Sequence, residues 1–531
     1  MNPLINRSSI RDFGDHAVWA GILLITASLP LSKFGMSLGQ FIIAGGWLLG
    51  GSIGAKFAKA FRQPVVWVLW GIYFLHLLGL WNTVNFDYAL TDLRIKIPMF
   101  LMPLFFSSMN PLTAKQYRTV LIVLIAATLT SSLISVCIYL NIIHRTVNDI
   151  RDISIFISHI RLALMVCISI TSCLWFIRNS TSRNVKPLFI ATIIWFIGFL
   201  ILLESLTGLF ILVGGTVLFL FTRIIRPGTA THLRVVFSII VLGTLFTGVK
   251  LYQYVFIDSI KIITVDPKSL PLKTPLGGTY VHDLTRQDLE NGNLVFLYVC
   301  ESEMDSAWNT KSKLSMYGPN NKGHLLRMTL SRYLTAKGYT KDGTGVNKLS
   351  LQEIKDIENG IANPNDEQLS NLESRIGRLA WENRQYYFTR NPSGHSVTQR
   401  LEFWKAARHI ITQHPWQGVG TGDVKGAFSD AYDEMDSKLD EKYRLRSHNQ
   451  YLSIGVAFGL PGLMYFIFAL IFPWLAMQKR RDFIYSAFLF IAVCSMLSED
   501  TLETQAGVTF FAFLSAFLLF NDSRRGNAKI S

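Results

Sequence analysis

"RSHNQYLSIGVAFGL", residues 446–460, sets a cationic, titratable cluster directly against an apolar run that continues to about residue 474. Arg444 and Arg446 precede His448, and after Tyr451 the chain turns to apolar and small residues. A helix rises 1.5 Å per residue, so a hydrocarbon core about 30 Å thick needs about 20 such residues to cross it. The junction therefore reads as the point where a helix enters a membrane, with charge held at its mouth.

The rest of the chain repeats the pattern. Of 531 residues, 50% are hydrophobic and only 16% are charged, a balance foreign to soluble enzymes of this length. Twelve apolar runs stand out, at about 17–32, 37–54, 65–83, 93–108, 119–140, 160–177, 188–204, 207–222, 235–256, 451–474, 483–498 and 505–520. The expected fold is an all-α polytopic membrane protein of about twelve transmembrane helices, with one large, partly helical loop domain between helices 9 and 10. The first run is followed too closely by the second, and lacks a small-residue cleavage site, for a removed signal peptide. Lys and Arg near span ends resist translocation. With the N-terminus inside, the even-numbered connections carry Lys56, Lys59 and Arg62; Lys115 and Arg118; Arg178, Arg183 and Lys186; Arg223, Arg226 and Arg234; and Lys479, Arg480 and Arg481. The tail adds Arg524, Arg525 and Lys529, so both termini are expected in the cytoplasm. Much of the net charge of +15 is thereby orientation signal and contact with anionic membrane lipids, and no nucleic-acid partner is needed to explain it.

Three segments follow: transmembrane helices 1–9 over residues 1–256, a polar domain at 257–450 on the outer side, and transmembrane helices 10–12 with a cytoplasmic tail over 451–531. Of the five cysteines only Cys300 falls in the loop, which excludes an internal disulfide framework there. Packing on the membrane domain is then expected to hold it. Leu351, Ile354, Ile357 and Ile361 recur at helical spacing, and "LSNLESRIGRLAWENR" does likewise.

Near the end of the loop, "VTQRLEFWKAARHIITQHPWQGVGTGD", 397–423, predicts an amphipathic helix. Arg400, Trp404 and Arg408 share one face and Phe403, Ala407 and Ile410 the other. His414-Pro415 ends it. The glycines at 418, 420 and 422 make a turn whose sequence suits a phosphate cradle or, more simply, a backbone reversal.

The pairing of "R-x3-W-x2-A-x6-HP-x2-GVGTG" with "SHNQYL-x7-GLPGL", in a chain of twelve runs with its large loop before the tenth, resembles the O-antigen ligase family and its polymerase relatives (the Wzy-C type). "DLRIKIPMFLMPL", "EDTLETQAGVTFF" and the loop sequence "RYLTAKGYTKDGTGV" extend the likeness, the last toward ligase-like proteins of the Bacteroidetes type. The resemblance implies a glycosyltransferase of lipopolysaccharide biosynthesis at the periplasmic face of the bacterial inner membrane. Its donor would be a glycan on undecaprenyl diphosphate and its acceptor a sugar hydroxyl of lipid A-core, with no cofactor and no metal. His448 would then be the catalytic base and Arg400 the first contact for the diphosphate. The residue types suit these roles: an imidazole accepts a proton near neutral pH, and guanidinium forks stabilise a departing diphosphate.

Further cations are candidates for the same cavity, because charges at membrane depth usually face one. They are Arg161 with His159 at the outer end of the sixth run, Arg94 and Lys96 at the start of the fourth, and Arg446, with Trp404 beside them on the 397–413 helix. Each also has a plainer reading: His448 as an interfacial anchor, Arg400 as a snorkelling side chain, Arg444 and Arg446 as solvated or headgroup charges. The family pattern places an arginine in an "S-R-G" segment where this chain has "ESLTG", 204–208, so Leu206 stands at that position. Arg161 substitutes for it or the diphosphate is held differently. The sequence has neither a DxD pair nor HExxH, the usual signatures of metal-dependent transfer and zinc hydrolysis. A polymerase and a protein oligosaccharyltransferase would use the same donor. A lipid-linked glycan transporter is the reading from another class, and it fits less well because the charges gather at one outer face.

Overall fold

The computed structural model of the chain describes residues 7–147, 149–180, 184–364 and 371–521; Arg183 and the tail cations Arg524, Arg525 and Lys529 lie outside the described residues. The chain forms two compact units, Met1–Leu242 with Gln399–Ser531, and Gly243–Thr398. In chain order the helices are α1 (Arg7–Ser28), α2 (Lys33–Leu49), α3 (Ile53–Phe61), α4 (Pro64–Leu78), α5 (Phe86–Ser108), α6 (Ala114–Tyr139), α7 (His159–Asn179), α8 (Lys186–Leu202), α9 (Leu206–Ile225) and α10 (Thr231–Tyr252). Next come α11 (Glu301–Asn309), α12 (Leu326–Ala336), α13 (Gly343–Asn347), α14 (Leu351–Glu358) and α15 (Asn371–Thr389). The last are α16 (Ser396–Gln413), α17 (Val424–Glu434), α18 (Gln450–Ala476), α19 (Phe483–Ser495) and α20 (Gln505–Phe520).

Each apolar run centres on one helix: α1, α2, α4 to α10, and α18 to α20. Among the described residues, five helices are long and apolar enough to cross a membrane, namely α6, α7, α9, α10 with its continuation to Ile260, and α18. The bent pair α2 and α3, turned by 111°, makes a sixth if taken as one span, and α4, α8, α19 and α20 are apolar but shorter. The protein is a mostly helical membrane protein.

Hydrogen bonds in the first unit sort its connections into two sets. Lys59 Nζ donates to Met109 O at 2.7 Å, Leu112 N to Asn521 Oδ1 at 2.7 Å, and Lys479 Nζ to the carbonyls of Leu518 and Asn521, both at 2.7 Å. These lysines satisfy carbonyls that helix C-termini leave unpaired. Opposite them, Val84 N and Asn85 N donate to Asp423, Thr207 Oγ1 meets Ser498 Oγ at 3.2 Å, and Leu502 N donates to Gln450 Oε1 at 2.7 Å. Every bond named joins an even-numbered connection to another even one or to the tail, or an odd one to another odd one, as antiparallel helices require.

Helix α18 breaks at Gly459 (φ 67°), two residues before Pro461. Leu460 N turns away to Pro415 O at 2.8 Å and Pro461 has no N–H, so the carbonyls of Val456 and Ala457 lose their helical donors. Val419 N and Gly420 N replace them at 2.9 and 3.0 Å. A Cβ at Gly418 (φ 66°) would meet Ala457 C at 2.3 Å, so only glycine fits. The GVGTG segment is therefore a backbone turn welded to the break in α18.

The second unit has a core of its own. Met304, Trp308, Leu326, Leu330, Tyr333, Ile354 and Ile357 form one apolar cluster. Arg384 on α15 donates to Ser259 O at 2.6 Å and to the Gln287 carbonyl. Strands β1 (Leu289–Glu290) and β2 (Asn293–Leu294) pair antiparallel across Asn291-Gly292, both at positive φ as a two-residue hairpin requires. The cysteine count did not anticipate this core, since it pointed to packing on the membrane helices. Leu351, read as part of the apolar stripe, is exposed at the start of α14, whereas Ile354 and Ile357 are buried. The unit boundaries also differ from those expected at 256 and 450, because Phe403, Ala407, Ile410, Phe428 and Tyr432 belong to the large apolar cluster of the membrane helices.

Candidate active site

Helix α16 carries the amphipathic pattern into packing. Phe403, Ala406, Ala407 and Ile410 are at most 2% exposed, while Trp404 and Arg408 face outward. Trp404 Nε1 donates to Ser447 O at 3.1 Å, which docks the helix against the segment leading into α18. On the same side the His448 ring lies against Phe403, with centroids 5.6 Å apart.

His448 has a left-handed backbone, φ 46°, a conformation that costs a side-chain-bearing residue free energy and persists only where its surroundings impose it. Asp500 imposes it. Its carboxylate accepts His448 N–H at 3.1 Å, Asn449 N–H at 3.0 Å and the hydroxyls of Ser453 at 2.7 Å and Ser447 at 3.3 Å. Asn449 then caps α18 by accepting from Leu452 N. The imidazole is thus presented from a rigid turn, half-buried.

Next to Asp500, Glu499 stands among the remaining cations. Arg400 Nη2 reaches Glu499 Oε1 at 3.4 Å, and Arg161 lines a small cavity with Glu499, Thr501 and Phe510. Burial raises the Glu499 carboxyl above its usual range against the opposing pull of His448, Arg400 and Arg161. Arg400 Nε is buried with no hydrogen-bond partner among the described residues, a costly state for a guanidinium donor. Two arginines and a histidine here share one carboxylate.

The family model described as O-antigen ligase (Wzy_C) matches residues 365–467, the stretch that holds Arg400, Trp404, Arg446 and His448. Over that stretch the chain is similar to O-antigen ligases. No curated protein matches the chain.

A second charged group joins the start of α5 to Arg446 and Gln450 within the matched stretch and to Glu503 beyond it. Lys96, fully buried, pairs with Asp92 one turn earlier and with Glu503 at 3.0 Å. Glu503 also takes Arg446 at 3.0 Å and Gln450 Nε2 at 3.0 Å, and Arg446 donates to Tyr88 Oη at 2.9 Å. Lys96 and Arg446, two of the expected substrate contacts, are thus neutralised by carboxylates of the protein itself. Arg94 is exposed and is not drawn into either group. His159 opens α7 two residues before Arg161 and is partly buried. Leu206 begins α9, where Ala163 of α7 packs against Gly208, so positions 161 and 206 occupy the same end of neighbouring helices.

Sequence reasoning passed over Glu499, Asp500 and Glu503. They sit in "EDTLE", which was noted for its family likeness only, and an acidic run at a span end reads by itself as a solvated turn. Three carboxylates where an apolar run ends on the same side as unpaired arginines was the available signal.

Proposed function

We propose that the chain moves a glycan from undecaprenyl diphosphate to a sugar hydroxyl of lipid A-core, at the periplasmic face of the inner membrane and without a divalent metal. The family suggests an O-antigen ligase or polymerase-type activity. One observation carries the finer reading: two guanidinium groups and an imidazole on a constrained turn converge on a single partly buried carboxylate, which leaves cationic capacity for an anionic ligand.

In this reading the acceptor oxygen attacks the anomeric carbon while His448 takes its proton. The bond from that carbon to the diphosphate oxygen breaks, its electron pair leaves with the diphosphate, and Arg400 and Arg161 stabilise the charge that develops. Glu499 orients the two arginines and stabilises the imidazolium. Arg161 takes the place of the family arginine missing at Leu206. Twelve spans with cytoplasmic termini set this end of the helices outside, where two membrane-anchored substrates bring their sugar heads together.

Purified wild-type and His448→Ala protein in lipid, with a chelator, should be given undecaprenyl-diphosphate glycan with or without lipid A-core. Product that needs the acceptor and disappears in the variant supports the ligase. Lengthening of the donor glycan without acceptor points to a polymerase, and no transfer at all points to a protein acceptor or a transporter.

A further inference from the structure

Beyond the charged groups, the first unit has a cavity of about 720 Å3 between the α4–α5 connection, the end of α16 and the start of α17. That lies within the 300–1,000 Å3 usual for small-ligand sites. Its walls include Asn82, Asn85, His414, Trp416, Asp423 and Asp430. Trp416 is 75% exposed, yet its backbone is fixed, since it lies between Pro415 O, which accepts Leu460 N, and the Gly418 turn. Both oxygens of Asp423 are taken by Val84 N and Asn85 N, so that wall is rigid too.

We infer that this cavity is a second sugar-binding site, which holds a neutral pyranose unit of the glycan chain about 20 Å from Arg400, the length of thirteen helical residues. The inference rests on the glycan-transfer reading above. An indole offers a flat apolar face to the C–H face of a pyranose, and neighbouring amide, imidazole and carboxylate groups match the alternating donors and acceptors of its hydroxyls. Charge decides between a sugar and a lipid headgroup: among the described residues the lining has two aspartates and no lysine or arginine, which disfavours phosphate and leaves neutral hydroxyls. Such a site would hold a long glycan in register while its first sugar reacts.

The test uses full-length protein in nanodiscs and, as probe, the glycan released by mild acid from the lipid-linked donor of the producing cells. Saturation-transfer NMR should show binding to wild type, at least a fivefold loss in Trp416→Ala and in Asp430→Asn, and recovery in Trp416→Tyr. His448→Ala should bind the glycan like wild type. In transfer assays Trp416→Ala should raise KM for a donor of several repeats about tenfold relative to its KM for a single-repeat donor. Absent binding by wild type, or equal binding by Trp416→Ala, overturns the site. Binding that depends on Trp416 in a protein with no transfer activity keeps the site and overturns the transferase reading; transfer that is indifferent to Trp416 at every donor length does the reverse.

Discussion

Two groups of charges lie at the same end of the helices and use the same residue types, yet they are in opposite states. Around Glu503, two cations (Lys96 and Arg446) meet two carboxylates (Asp92 and Glu503), Gln450 donates to Glu503 and Arg446 to Tyr88, and Arg446 Nε, like Arg400 Nε, is buried with no hydrogen-bond partner among the described residues. Around Glu499, Arg400, Arg161 and His448 share one carboxylate, because Asp500 next door is committed to backbone N–H groups and hydroxyls. Balanced charge locks helices together. Unbalanced charge of this kind is destabilising unless an anion completes it, which makes the Glu499 group the candidate anion site.

The sharpest break in the comparison is Lys96→Met. Removing the lysine leaves Asp92 buried without its cation and facing Glu503, which keeps only Arg446, in a site whose exposure to solvent is slight. Breaking a buried pair in this way costs about 3–5 kcal/mol, so the variant should melt far below wild type in the same detergent. A Lys96→Met protein of wild-type thermal stability but without transfer activity would show that this group is a substrate site and that the distinction drawn here is false.

Arg400→Ala should do the opposite. Its link to Glu499 is long and partly exposed, so stability should change by about 1 kcal/mol or less, while kcat/KM should fall about 10²–10³-fold as a donor aimed at developing charge is lost. Arg400→Lys should recover only part of that, because a point charge replaces a planar fork. Loss of stability equal to that of Lys96→Met would sink the assignment.

How much of this was legible depends on the distance over which each residue is satisfied. The faces of α16 were readable because periodicity is local, and Phe403, Ala407 and Ile410 are buried as their spacing predicts. Lys96, expected as a substrate contact and found paired with two carboxylates, illustrates the converse. Half of its pairing, Asp92 one helical turn away, was visible in the sequence; the other half, Glu503, is 407 residues distant. Arg94 falls about 200° around the helix from both Asp92 and Lys96 at 100° per residue, and its exposure follows from that. The break in α18 was present as "GLPGL", but only the structure pairs its freed carbonyls with the 418–420 turn.

Asp500→Ala probes the rigidity of the imidazole. Two backbone N–H groups and the hydroxyl of Ser453 lose their acceptor, at a cost of about 1–3 kcal/mol, and nothing then imposes the left-handed turn at His448. Amide exchange at His448 and Asn449 should accelerate and transfer should fall, with partial rescue in Asp500→Asn, which keeps one acceptor oxygen. Unchanged exchange at those two amides would mean that the turn is held by something else.

Glu499→Gln gives the smallest effect and the finest distinction between the two groups. Burial holds the Glu499 carboxyl above its ordinary value of 4.5 in the folded protein, so between that value and the raised one the folded state binds more protons than the unfolded state. Stability then declines as pH rises through the interval, and its contribution is complete only below pH 4.5. Glutamine removes the titration, so the variant should gain on wild type in thermal melts as pH increases from 4 toward 7, and the two should converge on acidification. A carboxylate whose job was to lock Arg400 and Arg161 into the fold would give the reverse slope, with the variant losing ground as pH rises. That outcome would make the Glu499 group a second structural lock like the one around Glu503, and the pair of arginines would no longer be distinguished as the anion site.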